Sequence, residues 1–411
     1  MAWTTPPPAP GRAAPCPLRL SRRRFLGAAT LAGGALLLGG CQPTARPAPR
    51  PPAPSPAAPD ASAATSPEGW ESTWNAWLAA AREEGKVVVK GPPSPEVRTD
   101  LPRAFQARYG IEVEYLGSPT GPFATQLQHE REAGIYSTDV VLAGADSMYT
   151  VFYADHMLAP LPPVLILPEA TDPAAWPNGK LWFMDPDQQY VLRLNNSVTI
   201  MGQINTAYVK PEDVTRWSDL LKPEYKGKIA CFDPAVSGSG VGTAAYLYVT
   251  LGEDYVRRLY VDQQPALSRD DRQLADWVAR GTYPIAIGAE FATESERAAL
   301  QSGGVSIVNL PRPADAPGSV SPSFGLLGLL TNAPHPYAAQ VFVNWIAARE
   351  GMTVWSKALN AVPVRLDIDK SAWPADHVPD PNVKNYHDSY GWDFVLNERQ
   401  AVMAQLRQMI K

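Results

Sequence analysis

The sequence predicts an α/β protein of two lobes joined by extended hinge segments. Short apolar segments alternate with amphipathic ones along most of the chain, which indicates strands followed by helices. The region from Trp70 to Lys411 spans 342 residues, and this is more than one hydrophobic core usually organises. Between residues 176 and 209 the pattern changes to successive extended segments, as expected where a chain passes from one lobe to another.

Strands and helices alternate regularly in the first part of this region. Glycines at 85 and 110 follow amphipathic segments and are typical helix stop signals, and the segment 123–132 is helical in pattern. The predicted strands are Lys86–Val89, Ile111–Tyr115 and Thr138–Leu142. This order predicts a parallel sheet in a first lobe over residues 70–200.

The same alternation resumes after residue 217 and predicts a second lobe over residues 201–319. Its strands are Ile229–Phe232, Ile285–Ile287 and Val305–Val308. The apolar run Phe324–Leu330 and a helix at Pro336–Trp345 are expected to return to the first lobe, which regains about residues 320–362. Residues 363–411 are expected to pack on the second lobe.

Small residues follow four of the predicted strands, at 91–94, 117–121, 143–146 and 234–242. Ligands bind outside the carboxyl ends of the strands in an open α/β sheet, so these turns predict the floor of a common cleft. Ser94, Ser118, Thr120 and Asp146 are the candidate ligand-binding residues of the first three turns. Helix capping is the alternative for the hydroxyl and carboxylate groups.

The fourth turn lies in the stretch Phe232–Thr243, which reads FDPAVSGSGVGT. Its glycines let the backbone approach a ligand closely, and the start of the following helix offers N–H groups to an anion or a carbonyl oxygen. The GxGxG spacing matches no nucleotide-binding loop. A tight turn without a ligand is the alternative. The candidate ligand-binding residues are Ser237, Gly238, Ser239 and Gly240.

Two further candidates, Glu290 and Phe291, follow the strand Ile285–Ile287. Glu290 is expected either to pair with a cation of the ligand or to face solvent. Phe291 and Trp182 are expected either to stack on a ligand or to belong to the core. Arg193 is expected to hold a ligand anion or to form a salt bridge at the hinge.

The N-terminal residues contain two motifs that are typical of exported proteins. Ser21–Leu26, SRRRFL, looks like a twin-arginine export motif, and Leu38–Cys41, LGGC, resembles a lipobox. We therefore expect residues 1–41 to be a signal peptide and Cys41 to carry a lipid anchor outside the cytoplasmic membrane. Residues 42–69 are rich in Pro and Ala and predict a disordered tether.

Charge and composition exclude several functions. Residues 1–41 contain five arginines and no acidic residue, so their removal shifts the formal net charge from −5 to −10, which argues against nucleic acid as a partner. The chain has no GxSxG or HExxH motif and no zinc-like histidine spacing. We expect no enzyme activity, cofactor or metal, and no disulfide, because Cys231 remains alone in an apolar strand.

The chain contains five further motifs, Glu84–Val89, Tyr109–Glu114, Trp217–Ile229, Ala333–Ala339 and Pro363–Arg365. Together they resemble the bacterial extracellular solute-binding proteins of ABC importers, in the group with ferric-ion, thiamine and polyamine binding proteins. The resemblance implies a type 2 periplasmic binding fold, in which two lobes close on a solute and the closed form docks on a membrane permease. It also implies a monomer.

The chain departs from the ferric-ion members where these carry paired tyrosines, since Ala289–Ala292 reads AEFA. Fe(III) prefers hard anionic oxygen ligands, and Phe291 offers none. We therefore expect a small polar or anionic organic solute. A ferric-ion-binding protein and a sensor adaptor that presents a ligand to a membrane kinase remain the alternatives. Neither the solute nor the role of the aromatic residues between Tyr386 and Phe394 follows from the sequence.

Overall fold

The computed structural model describes residues 69–235 and 239–409, apart from the side chains of residues 294 and 295. The predicted signal peptide, Cys41, all of the tether up to residue 68, and Ser237 and Gly238 lie outside these ranges. In the described residues the helices are α1 Trp70–Glu84, α2 Pro95–Tyr109, α3 Thr120–Glu132, α4 Ala145–Ser147, α5 Pro168–Thr171, α6 Ser239–Leu251, α7 Glu253–Arg257, α8 Asp271–Ala279, α9 Glu294–Ser302, α10 Pro336–Ala347, α11 Arg349–Ala358 and α12 Arg399–Met409.

The strands of the same residues form three sheets. They are β1 Lys86–Gly91, β2 Glu112–Gly117, β3 Val140–Ala143, β4 Leu158–Ala159, β5 Leu192–Arg193, β6 Ser197–Val198, β7 Gly202–Asn205, β8 Ile229–Phe232, β9 Ala266–Ser268, β10 Ile285–Ile287, β11 Ile307–Asn309, β12 Ser319–Ser321, β13 Leu326–Leu330 and β14 His387–Asp388.

The first sheet has the order β2-β1-β3-β13-β4, with β5 also paired to β13, and it forms the centre of the first lobe. Strands β1, β2 and β3 are parallel, whereas β13 is antiparallel to β3. The sheet is therefore mixed, although the alternation of elements predicted a parallel one. Val87 and Val89 face one core and Val141 faces another, because helices cover both faces of the sheet.

The strand β13, in the run Phe324–Leu330, lies beside β3 in the first sheet. Helix α10 follows and packs on the same core through Phe342 and Trp345. The carboxylate of Glu84 accepts hydrogen bonds from the backbone N–H groups of Tyr337 at 3.2 Å and Ala338 at 2.7 Å. The end of α1 thus caps the start of α10 and fixes the returning segment.

The second sheet has the order β11-β7-β10-β8-β9 and forms the second lobe. Strands β8, β9 and β10 are parallel, and β7 is antiparallel to both β10 and β11. Cys231 lies in β8 as a buried free thiol, and burial raises its pKa. This environment is that of a small core residue and does not favour a reactive thiolate.

The third sheet consists of short strands where the chain crosses between the lobes. β12 pairs antiparallel with β6 and parallel with β14. The extended segments predicted between 176 and 209 are mostly irregular here. Before β5, the fully buried carboxylate of Asp185 accepts hydrogen bonds from the N–H groups of Gln189, Tyr190 and Val191 at 2.8 to 3.0 Å. These bonds close a loop between two of the predicted extended segments.

Residues 363–409 pack on both lobes, and not on the second alone. Val364 and Trp373 belong to the core of the first lobe, whereas Val402 and Leu406 of α12 belong to the core of the second. Within the described residues no helix has the length and apolar character needed to cross a membrane.

The aromatic residues between 386 and 394 lie between the two lobes. The ring of Trp392 is 4.7 Å from that of Tyr149 in the first lobe, measured between centroids. The ring of His387 is 5.6 Å from that of Tyr246 in the second lobe and 4.7 Å from that of Phe394. This cluster therefore joins the lobes, a role that sequence analysis did not assign.

Candidate functional site

The carboxyl ends of the parallel strands define the candidate site. β1, β2 and β3 are parallel, so the turns after Gly91, Gly117 and Ala143 lie along one edge of the first sheet, here called the first rim. β8 and β10 are parallel, so the turns after Phe232 and Ile287 lie along one edge of the second sheet, here called the second rim. Ligands of open α/β sheets bind at such edges.

Ser94, on the first rim, caps helix α2. Its Oγ accepts a hydrogen bond from the N–H of Val97 at 3.2 Å and donates one to the carboxylate of Glu96 at 3.0 Å. The same Oγ lies 3.4 Å from the carbonyl oxygen of Ala358 at the end of α11. Ser94 therefore anchors the start of α2, and its contact with a ligand stays a prediction.

Ser118 and Thr120, also on the first rim, do not cap helix α3. The residue before the helix is Pro119, which provides no side-chain cap. The N–H of Ser118 bonds to the carbonyl oxygen of Gly91 at 3.0 Å, and among the described residues its hydroxyl has no hydrogen-bond partner. The Oγ1 of Thr120 is buried and likewise lacks a partner there. The capping alternative thus does not account for either hydroxyl.

Asp146 forms an ion pair with Arg399 from helix α12. Asp146 is not a helix cap, because Gly144 holds that position and Asp146 lies in the first turn of α4. Its side chain is 58% exposed, whereas that of Arg399 is only 6% exposed. Burial lowers the pKa of the Arg399 guanidinium, and among the described residues its Nε has no hydrogen-bond partner. Arg399, whose helix α12 packs on the second lobe, thus contacts the first rim.

The start of helix α6 packs directly on the end of β8. A Cβ atom at Gly240 would lie 2.6 Å from the carbonyl oxygen of Phe232, so only glycine allows this approach. Ser239 is the first residue of the helix and is half-buried. The structure places Ser239 and Gly240 on the second rim.

Glu290, on the second rim, is engaged by two cationic side chains. Its carboxylate pairs with Arg297 and lies 3.4 Å from Nε2 of His377. Burial alone would raise the pKa of Glu290, but the adjacent side chains of His377 and Arg297 lower it below the usual value. The neighbouring carboxylate of Glu290 in turn raises the pKa of His377. Glu290 is thus an internal partner, and a ligand cation would have to compete with both residues.

Gln203, which sequence analysis did not select, organises the same turn. Its Oε1 accepts hydrogen bonds from the N–H groups of Phe291 at 3.1 Å and Ala292 at 2.8 Å. Its Nε2 donates to the carbonyl oxygen of Ala292 at 2.7 Å and to Oδ1 of Asn309 at 2.9 Å. The side chain of Phe291 packs in a core cluster beneath the turn and is 7% exposed.

Arg193 forms a salt bridge at the hinge, one of the two roles expected for it. The guanidinium pairs with Asp388 of the C-terminal segment and lies 4.4 Å from the centroid of the Trp182 ring. The arginine is fully buried. Trp182 therefore stacks on Arg193 in this conformation.

No metal-binding group is evident in residues 69–235 and 239–409, where no three His, Cys, Asp or Glu side chains come together around a common point.

Solved structures with the same fold include both metal-binding and organic-solute-binding proteins. Iron-bound HitA from Pseudomonas aeruginosa is 17% identical, with a TM-score of 0.53, and the match covers 79% of this chain and 99% of that one. AfuA from Actinobacillus pleuropneumoniae, solved with exogenous fructose-6-phosphate, is 19% identical, with a TM-score of 0.54, and the match covers 80% and 99% of the two chains.

The apo ferric-ion-binding protein A of Pasteurella haemolytica is 14% identical, with a TM-score of 0.57 and coverages of 79% and 98%. At these identities the similarity shows the fold, which is the predicted two-lobe type 2 periplasmic binding fold.

The sequence itself carries the family assignment. No curated protein matches the chain. The model of a family described as bacterial extracellular solute-binding protein matches residues 101–380, which contain all of the described strands except β1 and β14. The chain therefore belongs to the bacterial extracellular solute-binding proteins.

Proposed function

We propose that this protein captures a small polar or anionic organic solute between its two rims and delivers it to an ABC permease in the cytoplasmic membrane. Membership of the solute-binding family supports capture. The short crossing strands β6 and β12 between the lobes support closure by a hinge. Closure would bury the solute, and the closed form would be the one that the permease recognises.

The turn after β10 supports an organic solute over Fe(III). Fe(III) requires several hard anionic oxygen donors. In this turn the carboxylate of Glu290 is already bonded to Arg297 and His377, and Phe291 is buried in the core. The partly exposed Asp146 pairs with Arg399. The carboxylates on the rims are thus neutralised by the protein, and this leaves little anionic charge for a trivalent cation.

Thermal denaturation and calorimetry on the purified protein test this proposal. The titrants would be Fe(III) citrate, sugar phosphates, carboxylates, amino acids and polyamines. A ligand at 100 times its dissociation constant stabilises the folded state by about 2.7 kcal/mol. We expect at least one organic solute to do so and Fe(III) not to. If Fe(III) alone raises the melting temperature, the ferric-ion alternative is correct.

We also propose that the protein is exported, anchored by a lipid on Cys41, monomeric and without enzyme activity. The twin-arginine-like and lipobox-like motifs support export and anchoring. Mass spectrometry of the mature N-terminal peptide would show acylated Cys41, and an unmodified thiol there would contradict the anchor. Incubation with hydrolase substrates should give no turnover above that of a heat-denatured sample.

A further inference from the structure

We propose that Phe324 is the surface on which the ring of a cyclic solute stacks in the cleft. The proposal concerns a ligand-binding residue that the candidate set above does not contain, and it rests on the proposed capture of an organic solute. The ligand it predicts combines a polar or anionic group with a ring, either an aromatic ring or a sugar ring that presents a C–H face.

Phe324 lies at the first rim, next to the hinge. The strand β13 starts two residues later, and its first residue, Leu326, pairs with Ala143 at the carboxyl end of β3. Because β13 is antiparallel to β3, the residues before Leu326 extend beyond the carboxyl edge of the sheet. The chain reaches this point directly from β12, which belongs to the sheet between the lobes. Phe324 therefore lies where a solute bound between the rims would contact it.

The ring of Phe324 is accessible, which is uncommon for a large aromatic side chain. The whole residue is 39% exposed, whereas its neighbours in β13 are buried. Across from it lies Gly144, and a Cβ atom at that position would be 3.8 Å from Cδ1 of the ring. The absence of a side chain at Gly144 leaves the adjacent space open to a ligand.

The backbone that carries Phe324 is fixed on both sides. The N–H of Gly325 bonds to the carbonyl oxygen of Pro322 at 2.8 Å, and the carbonyl of Gly325 accepts from Leu194 at 2.8 Å. The N–H of Ser323 bonds to Oγ of Ser321 at 2.9 Å. Ser323 has a φ of 52°, a left-handed conformation that non-glycine residues rarely adopt without a functional or structural constraint.

A rigid turn with an exposed ring is the arrangement expected of a stacking surface. Because the turn that carries the ring is already rigid before a ligand binds, binding loses little conformational entropy, and most of the stacking energy contributes to affinity. Aromatic stacking and the burial of apolar area then both favour a flat or cyclic ligand over an open chain of the same charge.

Calorimetry with matched solute pairs tests the inference. Each pair shares its charged group and differs in the ring: glucose 6-phosphate against glycerol 3-phosphate, and benzoate or cyclohexanecarboxylate against hexanoate. We expect the cyclic member of at least one pair to bind about tenfold more tightly. Phe324→Ala should remove that preference, and Phe324→Tyr should keep it. Gly144→Ala should weaken the cyclic solute several-fold, since its methyl group would occupy the space beside the ring.

Tyr208→Ala is the matched control. Tyr208 is 62% exposed and packs over Gly281 in a similar way, but it follows β7, whose carboxyl end lies at the amino edge of β10. The Tyr208→Ala variant should leave the affinity for every solute unchanged. The melting temperature of each variant checks its folding, and Phe324→Tyr keeps the test valid if the alanine variant unfolds.

The outcomes separate the two proposals. If organic solutes bind but Phe324→Ala leaves the preference for cyclic solutes intact, or if only open-chain solutes bind, the stacking role is wrong and the proposed function stands. If only Fe(III) binds, both are wrong.

Discussion

The two rims have similar small-residue turns but differ in how their polar groups are bonded. On the second rim, Gln203 forms three hydrogen bonds with the turn after β10 and a fourth with Asn309 of β11. The carboxylate of Glu290 forms ion pairs with Arg297 and His377. On the first rim, the hydroxyls of Ser118 and Thr120 lack partners among the described residues.

This difference suggests that the second rim is preorganised and that the first rim provides groups that remain free for a ligand. A preorganised surface loses little conformational entropy when a ligand binds. Unbonded groups can instead form hydrogen bonds that depend on which ligand is present. The following predictions test whether the rims differ in this way, from the largest expected effect to the smallest.

Gln203→Leu should cause the largest loss of stability, roughly 3 kcal/mol in the free energy of unfolding. Leucine keeps most of the volume but leaves the two buried N–H groups of Phe291 and Ala292 without a partner, whereas the carbonyl oxygen of Ala292 keeps its hydrogen bond from Arg297. Chemical denaturation measures the effect. The control Gln301→Leu changes an exposed residue of α9 and should stay within about 0.5 kcal/mol of the wild type. Equal effects of the two variants would show that the second rim is not held by Gln203.

His377→Gln should remove a pH-dependent contribution of about 1 kcal/mol from the second rim. The pKa of His377 is raised by Glu290, so its stabilisation is fully present below the ordinary pKa and is lost as the pH rises through the raised pKa. The pKa of Glu290 is lowered, so its contribution is lost only when the pH falls through that lower value.

The measurement is the unfolding free energy of the wild type minus that of the variant, at pH 5.5 and at pH 8.5. This difference should be larger at pH 5.5. Arg297 and Asp376 are the other charged groups beside His377. The lowered pKa of His387 affects both proteins alike and cancels. A difference that does not vary with pH would rule out the ion pair.

Local sequence signals predicted the frame of the fold well. Gly85 and Gly110 end helices with φ values of 78° and 74°, because glycine adopts this conformation without strain. The apolar run Leu326–Leu330 forms the fully buried strand β13. Such features depend on residues that are close together in the sequence, so the periodicity of the sequence predicts them.

Contacts between distant residues could not be predicted in this way. Asp146 and Arg399 are separated by 253 positions, and Gln203 and Phe291 by 88. The sequence around each of these residues does not indicate which distant residue it contacts. Phe324 was assigned to an apolar strand because a single sequence does not reveal that the strand begins two residues later. The rims were located correctly as turns, but their bonding depends on tertiary structure.

Ser94→Ala should cost about 1 kcal/mol, because it removes the cap from the first turn of α2. Ser118→Ala is the matched control on the same rim. The Ser118 hydroxyl has no hydrogen bond among the described residues, so its loss should change stability by less than about 0.5 kcal/mol. Equilibrium unfolding in urea would distinguish the two serines. If Ser118→Ala is the more costly change, the hydroxyl has a structural role and the first rim is less free than proposed.

Thr120→Val should have the smallest effect and is the most direct test of the first rim. Valine has nearly the shape of threonine but replaces the hydroxyl with a methyl group. Burying a hydroxyl without a partner costs free energy, and the Oγ1 of Thr120 is in that position. The variant should therefore be as stable as the wild type or more stable by up to about 1 kcal/mol. A loss of stability would mean that the hydroxyl is bonded in solution. In that case the first rim, like the second, would be satisfied before any ligand arrives.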